Sequence, residues 1–431
     1  MKAKYGKWLV GALVAAATAV AAWGLAQQQS LIFLATQFNN VEESQRMKDA
    51  ILKNFRGSVD FLPQAAGPFT DRVLAEFRAN RVNTALLGGL HGDFPPLQVA
   101  GALDNVDDIM NNLKGRKFTR DYIKLGKLGT NNQLYIPWMQ ATYIMVANRQ
   151  ALQYLPPGVD INRITYKQLA AWGANITRAT GQRKLGFPAG PTSLIHRFLQ
   201  GYLYPSYTSS TVTRFRGGVA TEMWQDFKEV WQHVNPQSVS YNFMQEPLLS
   251  GEVWVAWDHI ARLRDALTQK PGDFVAFPAP QGPSGRGFMP VLAGFSIPKG
   301  TANRAQAAAL IEYLTRPEVQ IETLKQNYFF PVIDIKLPDD LSPGLKMIAA
   351  TITRQANAPF AITTLLPVGL GARGGDFNKV YIDAFTRIIL RNQDITSALD
   401  IEAANLRRIM QETKAPCWAP DPVSDGPCPV N

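Results

Sequence analysis

Residues 31–89 alternate between two hydrophobic periods, and that alternation limits the chain to one class of fold. "LIFLATQ" (31–37) is an apolar run of strand length. "VEESQRMKDAILKNF" (41–55) places Met47, Ile51, Leu52 and Phe55 at helical spacing. "SVDFLPQ" (58–64) reads as a second strand, "FTDRVLAEFRAN" (69–80) as an amphipathic helix and "VNTALLGG" (82–89) as a third strand. Strands separated by helices of this length predict an open, mostly parallel sheet with helices on both faces. Ligands of such sheets bind beyond the carboxyl ends of the strands. Those ends are "TQFNN", "PQAAGP" and "GGLHGD", polar and Gly-rich but without P-loop or GxGxxG spacing.

The pattern recurs further on. A second block, about 142–270, contains "YIMVANRQAL", the helix-like "TYKQLAAWGANI" and "MWQDFKEVWQHV", and the apolar run "VWVAW". A Gly/Pro-rich crossing, "FPAPQGPSGRGFMP", leads into a strand and helix at 294–326, and helices are predicted near 343–355, 376–391 and 397–412. A chain of 431 residues has length for two or three cores. The expected architecture is two α/β lobes with the chain crossing between them more than once.

The first 26 residues have the form of an export signal. Lys2, Lys4 and Lys7 precede an apolar run from Leu9 to about Ala26, and Gly24 and Ala26 suit cleavage before Gln27. The competing reading is a retained anchor, for which the run is at the short limit. Without the three leader lysines the balance is 41 basic against 34 acidic residues, so +10 falls to +7. The basic residues are scattered singly, which argues against nucleic acid as a partner. Cys417 and Cys428 are the only cysteines, both in the tail "PCWAPDPVSDGPCPVN", and an oxidising compartment would allow them to pair as a local staple.

Four longer segments carry a resemblance. "LYIPWMQATYIMVANRQAL", "LLSGEVWVAW", "LAGFSIPKGTANRAQAAALIEYLTRPEVQ" and "NQDITSALDIEAANLRRIM" together resemble the maltose-binding-protein-like group, extracellular solute-binding protein family 1. Their order and spacing carry the likeness, which spans essentially the whole chain after the leader. One departure is Ala147-Asn148, where Tyr-Asn is common, so a sugar contact from that tyrosine is not carried over. The resemblance implies a type II periplasmic-binding-protein fold, with lobe 1 at 27–139 and 273–330, lobe 2 at 140–272 and 331–415, and a tail at 416–431. It further implies an exported, periplasmic or extracytoplasmic, monomeric protein that binds a carbohydrate or sugar-like solute by hinge closure, with the crossings near Pro137–Thr142, Phe277–Pro283 and Tyr328–Ile333 as hinges. Such a protein delivers its solute to the permease of an ABC importer, without cofactor, metal or catalysis.

The residues themselves leave little room for catalysis. No G-x-S-x-G elbow or H-E-x-x-H is present, and Ser193 with His196 reads as a helix start. The four histidines, His91, His196, His233 and His259, share no metal-ligand spacing, and His91 reads as a solvated loop residue. Trp224 and Trp231, seven apart on a helix, read as packing. Trp254 and Trp257 face opposite sides of a strand, and the resemblance puts Trp257 on the cleft side as a stacking surface for a sugar's apolar face. Replacing Trp257 by Ala is therefore expected to weaken binding and spare stability. Asp258 either caps the helix after it or bonds a ligand hydroxyl, which makes His259 a first-turn helix residue. The full candidate set is Gln37, Asn39, Gln64, Asp93, Trp138, Gln140, Trp257, Asp258, Gly294, Phe295, Arg373, Asp376 and Phe377. A polyamine or other cationic solute, caged by Trp257 and Asp258, is the alternative ligand. A secreted carbohydrate-active enzyme is the alternative of a different class, and a tethered sensor or adhesion module a third.

Overall fold

The computed structural model describes residues 30–431, so the leader and its cleavage point lie outside the described residues. The strands are β1 (Leu31–Ala35), β2 (Val59–Pro63), β3 (Leu86–Leu90), β4 (Ile136–Ala141), β5 (Tyr143–Asn148), β6 (Leu185–Gly186), β7 (Val255–His259), β8 (Phe274–Phe277), β9 (Arg286–Phe288), β10 (Val291–Ser296) and β11 (Ala361–Thr363). They form a five-stranded sheet of order β2-β1-β3-β10-β4, a four-stranded sheet of order β6-β7-β5-β8, and the small pair β11-β9. The N-terminal alternation gives what its period predicts, because β1 pairs in parallel with both β2 and β3. Two later strands run the other way: β10 is antiparallel to β3 and β4, and β5 is antiparallel to β7 and β8.

Local chemistry sets the helix ends. Thr165 and Gln168 form a reciprocal capping box at the start of Tyr166–Thr180, with Gly181 in the left-handed region closing it. Asp394 accepts from Ser397 N at 2.8 Å and starts the long helix Ile395–Thr413. The helices expected near 343 and 376 are Pro343–Ala356 and Gly374–Phe385.

The inner strands of the two larger sheets are buried on both faces. In the first lobe Phe33 meets Phe61, Trp138 and Phe295, with ring centroids 5.2–5.9 Å apart. Gly88 makes room for this cluster, since a Cβ there would sit 2.8 Å from the Phe33 ring and 2.9 Å from that of Trp138. In the second lobe Trp257 lies flat on Tyr143, 4.8 Å away with planes 5° apart, and its flanks meet Phe198 and Tyr202 edge-on.

The chain passes between the sheets three times, and the passes are bonded together. The first is a single residue, Thr142, between β4 and β5. Its hydroxyl donates to Met289 O at 3.0 Å, on the second pass, and lies 2.9 Å from the Tyr202 hydroxyl. Gln140 exchanges backbone hydrogen bonds with Phe330 on the third pass, and its amide donates to Pro331 O at 2.9 Å. The second pass is displaced from its expected place. β8 pairs with β5 and Gln281 bridges to Thr165, so 274–281 belong with the second sheet, and the chain returns only between β9 and β10. The lobe boundary expected at residue 273 therefore moves past β9. A run of Pro and Gly marked a crossing, but part of that run packs against the lobe it leaves.

The tail is docked. Cys417 and Cys428 are bonded, with Cα atoms 4.6 Å apart. Within their loop the Asp421 carboxylate accepts from the backbone N–H groups of Thr211, Val212 and Thr213 at 2.7–2.9 Å and from the hydroxyls of Ser210 and Thr213. This nest of donors anchors the tail to the second lobe.

The burial of Trp257 reverses the expectation for its substitution. Trp257→Ala empties an indole-sized volume from a core of packed rings, and should cost about 3–5 kcal/mol. Urea unfolding measures this; a loss below about 1 kcal/mol would be incompatible with a core position.

Candidate functional site

The strand ends of the two sheets face one another across a cleft. β1 runs out into Gln37, Phe38 and Asn39, and β3 into Leu90 and the turn holding Asp93. Because β10 is antiparallel to β3, its first residue, Val291, starts at this same edge. The second sheet repeats the device. β7 ends at His259, and antiparallel β5 begins beside it, with Tyr143 in register with His259. Gln37, Asn39, Tyr143, His259, Arg262 and Phe329 thus line one cavity of about 620 Å³. A second, of about 530 Å³, is lined by Asp93, Gly371 and Asn378 and shares Leu90, Arg197 and Leu366 with the first. A depression of about 550 Å³ at Gly217, Asp400 and Asn431 is remote from the cleft, and its charges are paired, Arg216 to Asp400.

The polar groups of the cleft differ in how far their bonding is filled. Asp93 is committed to its own lobe: its carboxylate accepts from the Thr36 hydroxyl at 2.6 Å and from Leu90 N at 2.8 Å, and burial raises its pKa. His259 accepts from Ala261 N at 3.2 Å, and burial pushes its pKa down to about 3, so the ring is neutral. Tyr143 is pushed up to about 12 by burial, against the opposing pull of Arg197 and Arg262. Arg262 lies over the Phe243 ring, 4.5 Å from its centroid, and donates to Asn242 O. The side chain of Arg197 bonds Gln200 Oε1 at 3.1 Å. The site offers aromatic surface, planar donors and acceptors, and two guanidiniums. Among the described residues no group of three or more His, Cys, Asp or Glu could hold a metal ion.

Of the thirteen residues expected here, the structure brings Gln37, Asn39 and Asp93 to the cleft walls. Trp257 and Asp258 are fully buried behind it. Trp138 and Phe295 are stacked in the first lobe's core, 4.6 Å apart, and a Cβ on Gly294 would strike the Tyr135 ring at 2.1 Å, so all three face inward. Gln140 is spent on joining the crossings, and Tyr122 donates to its carbonyl. Gln64, one residue beyond β2, keeps a buried Oε1 without a partner but lines neither cleft cavity. Arg373 bonds Asp376 at 2.9 Å and Glu412 at 3.0 Å, outside the cleft, and Phe377 is buried against Tyr381 and Trp418. Neither reading of Asp258 holds: it accepts from Met244 N at 2.9 Å and His259 N at 2.7 Å, while His259, the last strand residue, caps the turn that follows. His91 is buried, not solvated, with Nδ1 2.9 Å from the Tyr135 hydroxyl.

The family model for bacterial extracellular solute-binding proteins matches residues 58–321. The chain belongs to that family. Solved structures share its fold at low identity. Maltose-bound MalE3 of T. maritima has a TM-score of 0.70 at 15% identity, covering 88% of this chain and 99% of that one. The GacH receptor of Streptomyces glaucescens GLA.O, solved unliganded and with acarbose, has 0.69 at 16%, covering 89% and 99%. UgpB of Mycobacterium tuberculosis, in complex with glycerophosphocholine, has 0.67 at 16%, covering 89% and 99%. A search of curated proteins by sequence finds no match.

In this solute-binding protein, the cleft residues that sequence reasoning missed are Tyr143, Arg197, Phe243, Arg262 and Phe329. One signal pointed near Arg197: "GFPAGPTSLIHRF" is a Gly/Pro-rich loop after the short strand β6, in the position where ligands meet such sheets. The helix begins at Ile195 without a side-chain cap, so Ser193 does not serve as one, and Arg197 is in its first turn.

Asp258 and His259 titrate in opposite senses. Burial raises Asp258 from 3.8 to about 7, so between those values the folded state holds a proton that the unfolded chain has lost, and stability falls as pH rises. His259, lowered from 6.5 to about 3, contributes stability above 6.5 that is lost as pH falls. Asp258→Asn removes only the first effect. Its stability relative to wild type should therefore increase from about pH 5 to about pH 8 in urea unfolding. A difference equal at the two pH values would mean that Asp258 is ionised throughout.

Proposed function

We propose that the chain is the exported receptor of an ABC importer and that it binds a carbohydrate or sugar-like solute between its lobes. The observation that carries this reading is the cleft wall. The aromatic rings of Tyr143, Phe243 and Phe329 are interleaved there with the planar amides of Gln37 and Asn39 and the guanidiniums of Arg197 and Arg262. Aromatic rings accept the apolar C–H face of a pyranose, and planar polar groups take paired hydroxyls. The maltose and acarbose complexes of the similar structures agree with this choice.

Binding is closure about the three bonded passes. The solute favours the closed form by the extra contacts it makes when both walls reach it, and the permease recognises that form. No step breaks a covalent bond, and the protein acts as a monomer in the periplasm or outside the membrane, with its leader removed or kept as an anchor. A polyamine fits less well than a sugar: it would meet two guanidiniums, while Asp93 is committed to Thr36 and Leu90, and the expected Trp257–Asp258 cage is buried.

A thermal-shift screen of sugars, polyols and polyamines tests this. A sugar at a hundred times its dissociation constant should add about 2.7 kcal/mol, with a smaller radius of gyration in solution scattering. A response to polyamines alone would transfer the site to cations. Turnover of a bound oligosaccharide, seen by mass spectrometry, would make the protein an enzyme.

A further inference from the structure

Arg197 stands at the wall shared by the two cleft cavities. It is partly buried, and burial lowers its pKa, with only distant compensation from Tyr143 and Asp93. Among the described residues no carboxylate lies within ion-pair distance of it, and its described side-chain bond is the one from Nη1 to the neutral Gln200 amide. Arg387 shows the ordinary solution: it is also partly buried, and its Nε holds Glu402 at 2.8 Å. The carboxylate nearest in effect to Arg197 is Asp93 on the other lobe, already bonded twice within that lobe. Arg262, on the larger cavity, has a backbone carbonyl and a ring as its bonded partners, with the Asp258 and Glu43 carboxyls within electrostatic reach.

A guanidinium stays charged under any ordinary condition and has five N–H donors in a planar fork. Taking it from water without an anion is unfavourable, and a ligand's anion would offset that cost. Both guanidiniums line the larger cavity together with Tyr143. Glu43 also lines this cavity, on the Arg262 side, and burial raises its pKa, which weakens it as a competing anion.

Resting on the carbohydrate reading above, we propose that the solute is an acidic sugar and that its anionic group, a carboxylate or a phosphate, is held by Arg197 with Arg262 nearby. Arg197 then selects for charge, while the aromatic rings and amides hold the sugar ring. Bidentate pairing suits both anions, since each presents two oxygens at the spacing of the fork.

The experiment is calorimetric titration of the full chain with three probes: a neutral disaccharide, a disaccharide containing a uronic acid, and a hexose phosphate. The wild-type protein should prefer one acidic probe, and which one identifies the anion. Arg197→Gln should weaken that probe roughly 30-fold or more, and the neutral sugar, which meets the same side chain only through hydroxyls, by a clearly smaller factor. Arg197→Lys, which keeps the charge but not the fork, should lose less, and thermal melts of both variants check that they fold. Equal or better binding of the neutral probe, or equal losses for neutral and acidic probes in Arg197→Gln, overturns the acidic-sugar assignment and leaves the carbohydrate reading standing. Binding of no sugar of either kind sinks both.

Discussion

The structure depends on the bonds that join its three interlobe passes. Thr142 reaches a carbonyl 147 residues away and Gln140 one 191 residues away, and both ties fall at the single-residue step between β4 and β5. The inner strands of the two larger sheets are packed on both faces, so hinge closure would be taken up at this narrow waist, where few dihedrals can absorb it. The ties also fix which strand ends face which. Without them Gln37 and Asn39 on one side and Tyr143 and His259 on the other would have no common cavity.

Double coverage of the sheets determines what a solute can touch. A strand buried on both faces presents no side chain to the cleft along its length; only its end emerges. Trp257 and Asp258 are therefore interior, and His259, last in the same strand, is at the surface of the cavity. The interior position has electrostatic consequences. Asp258 receives two backbone N–H groups, yet desolvation outweighs them and raises its pKa to about 7. Arg197 stands at the cavity itself with the neutral Gln200 amide as its partner, and no carboxylate lies within ion-pair distance of it among the described residues.

Much of the fold was legible in sequence. The strand–helix alternation of 31–89 became the parallel ladder β2-β1-β3, and the helices expected in the last hundred residues start within a few positions of their observed ends. The first and third crossings coincide with two of the expected segments, while the second was placed too early because Gly and Pro content does not reveal which lobe a loop packs on. The site was less legible. Alternation set Trp254 and Trp257 on opposite sides of one strand, but Trp254 precedes β7 and stacks on Tyr154, while Trp257 is interior. Gly294 and Phe295 belonged to a matching motif whose work is packing against Tyr135 and Trp138.

The sequence by itself determined the class of fold, the order of its elements and the polar character of the strand ends that line the cleft. These follow from local periodicity and from the polarity of strand ends, which neighbouring residues express directly. Tertiary structure alone decided which side chains form the cleft. Tyr143, Arg197, His259 and Phe329 are far apart in the chain, and their meeting depends on two antiparallel reversals and on contacts between the passes. It also decided that Arg197 has no carboxylate partner among the described residues. A charge's missing counterion is a property of its surroundings in space, and no local pattern records it.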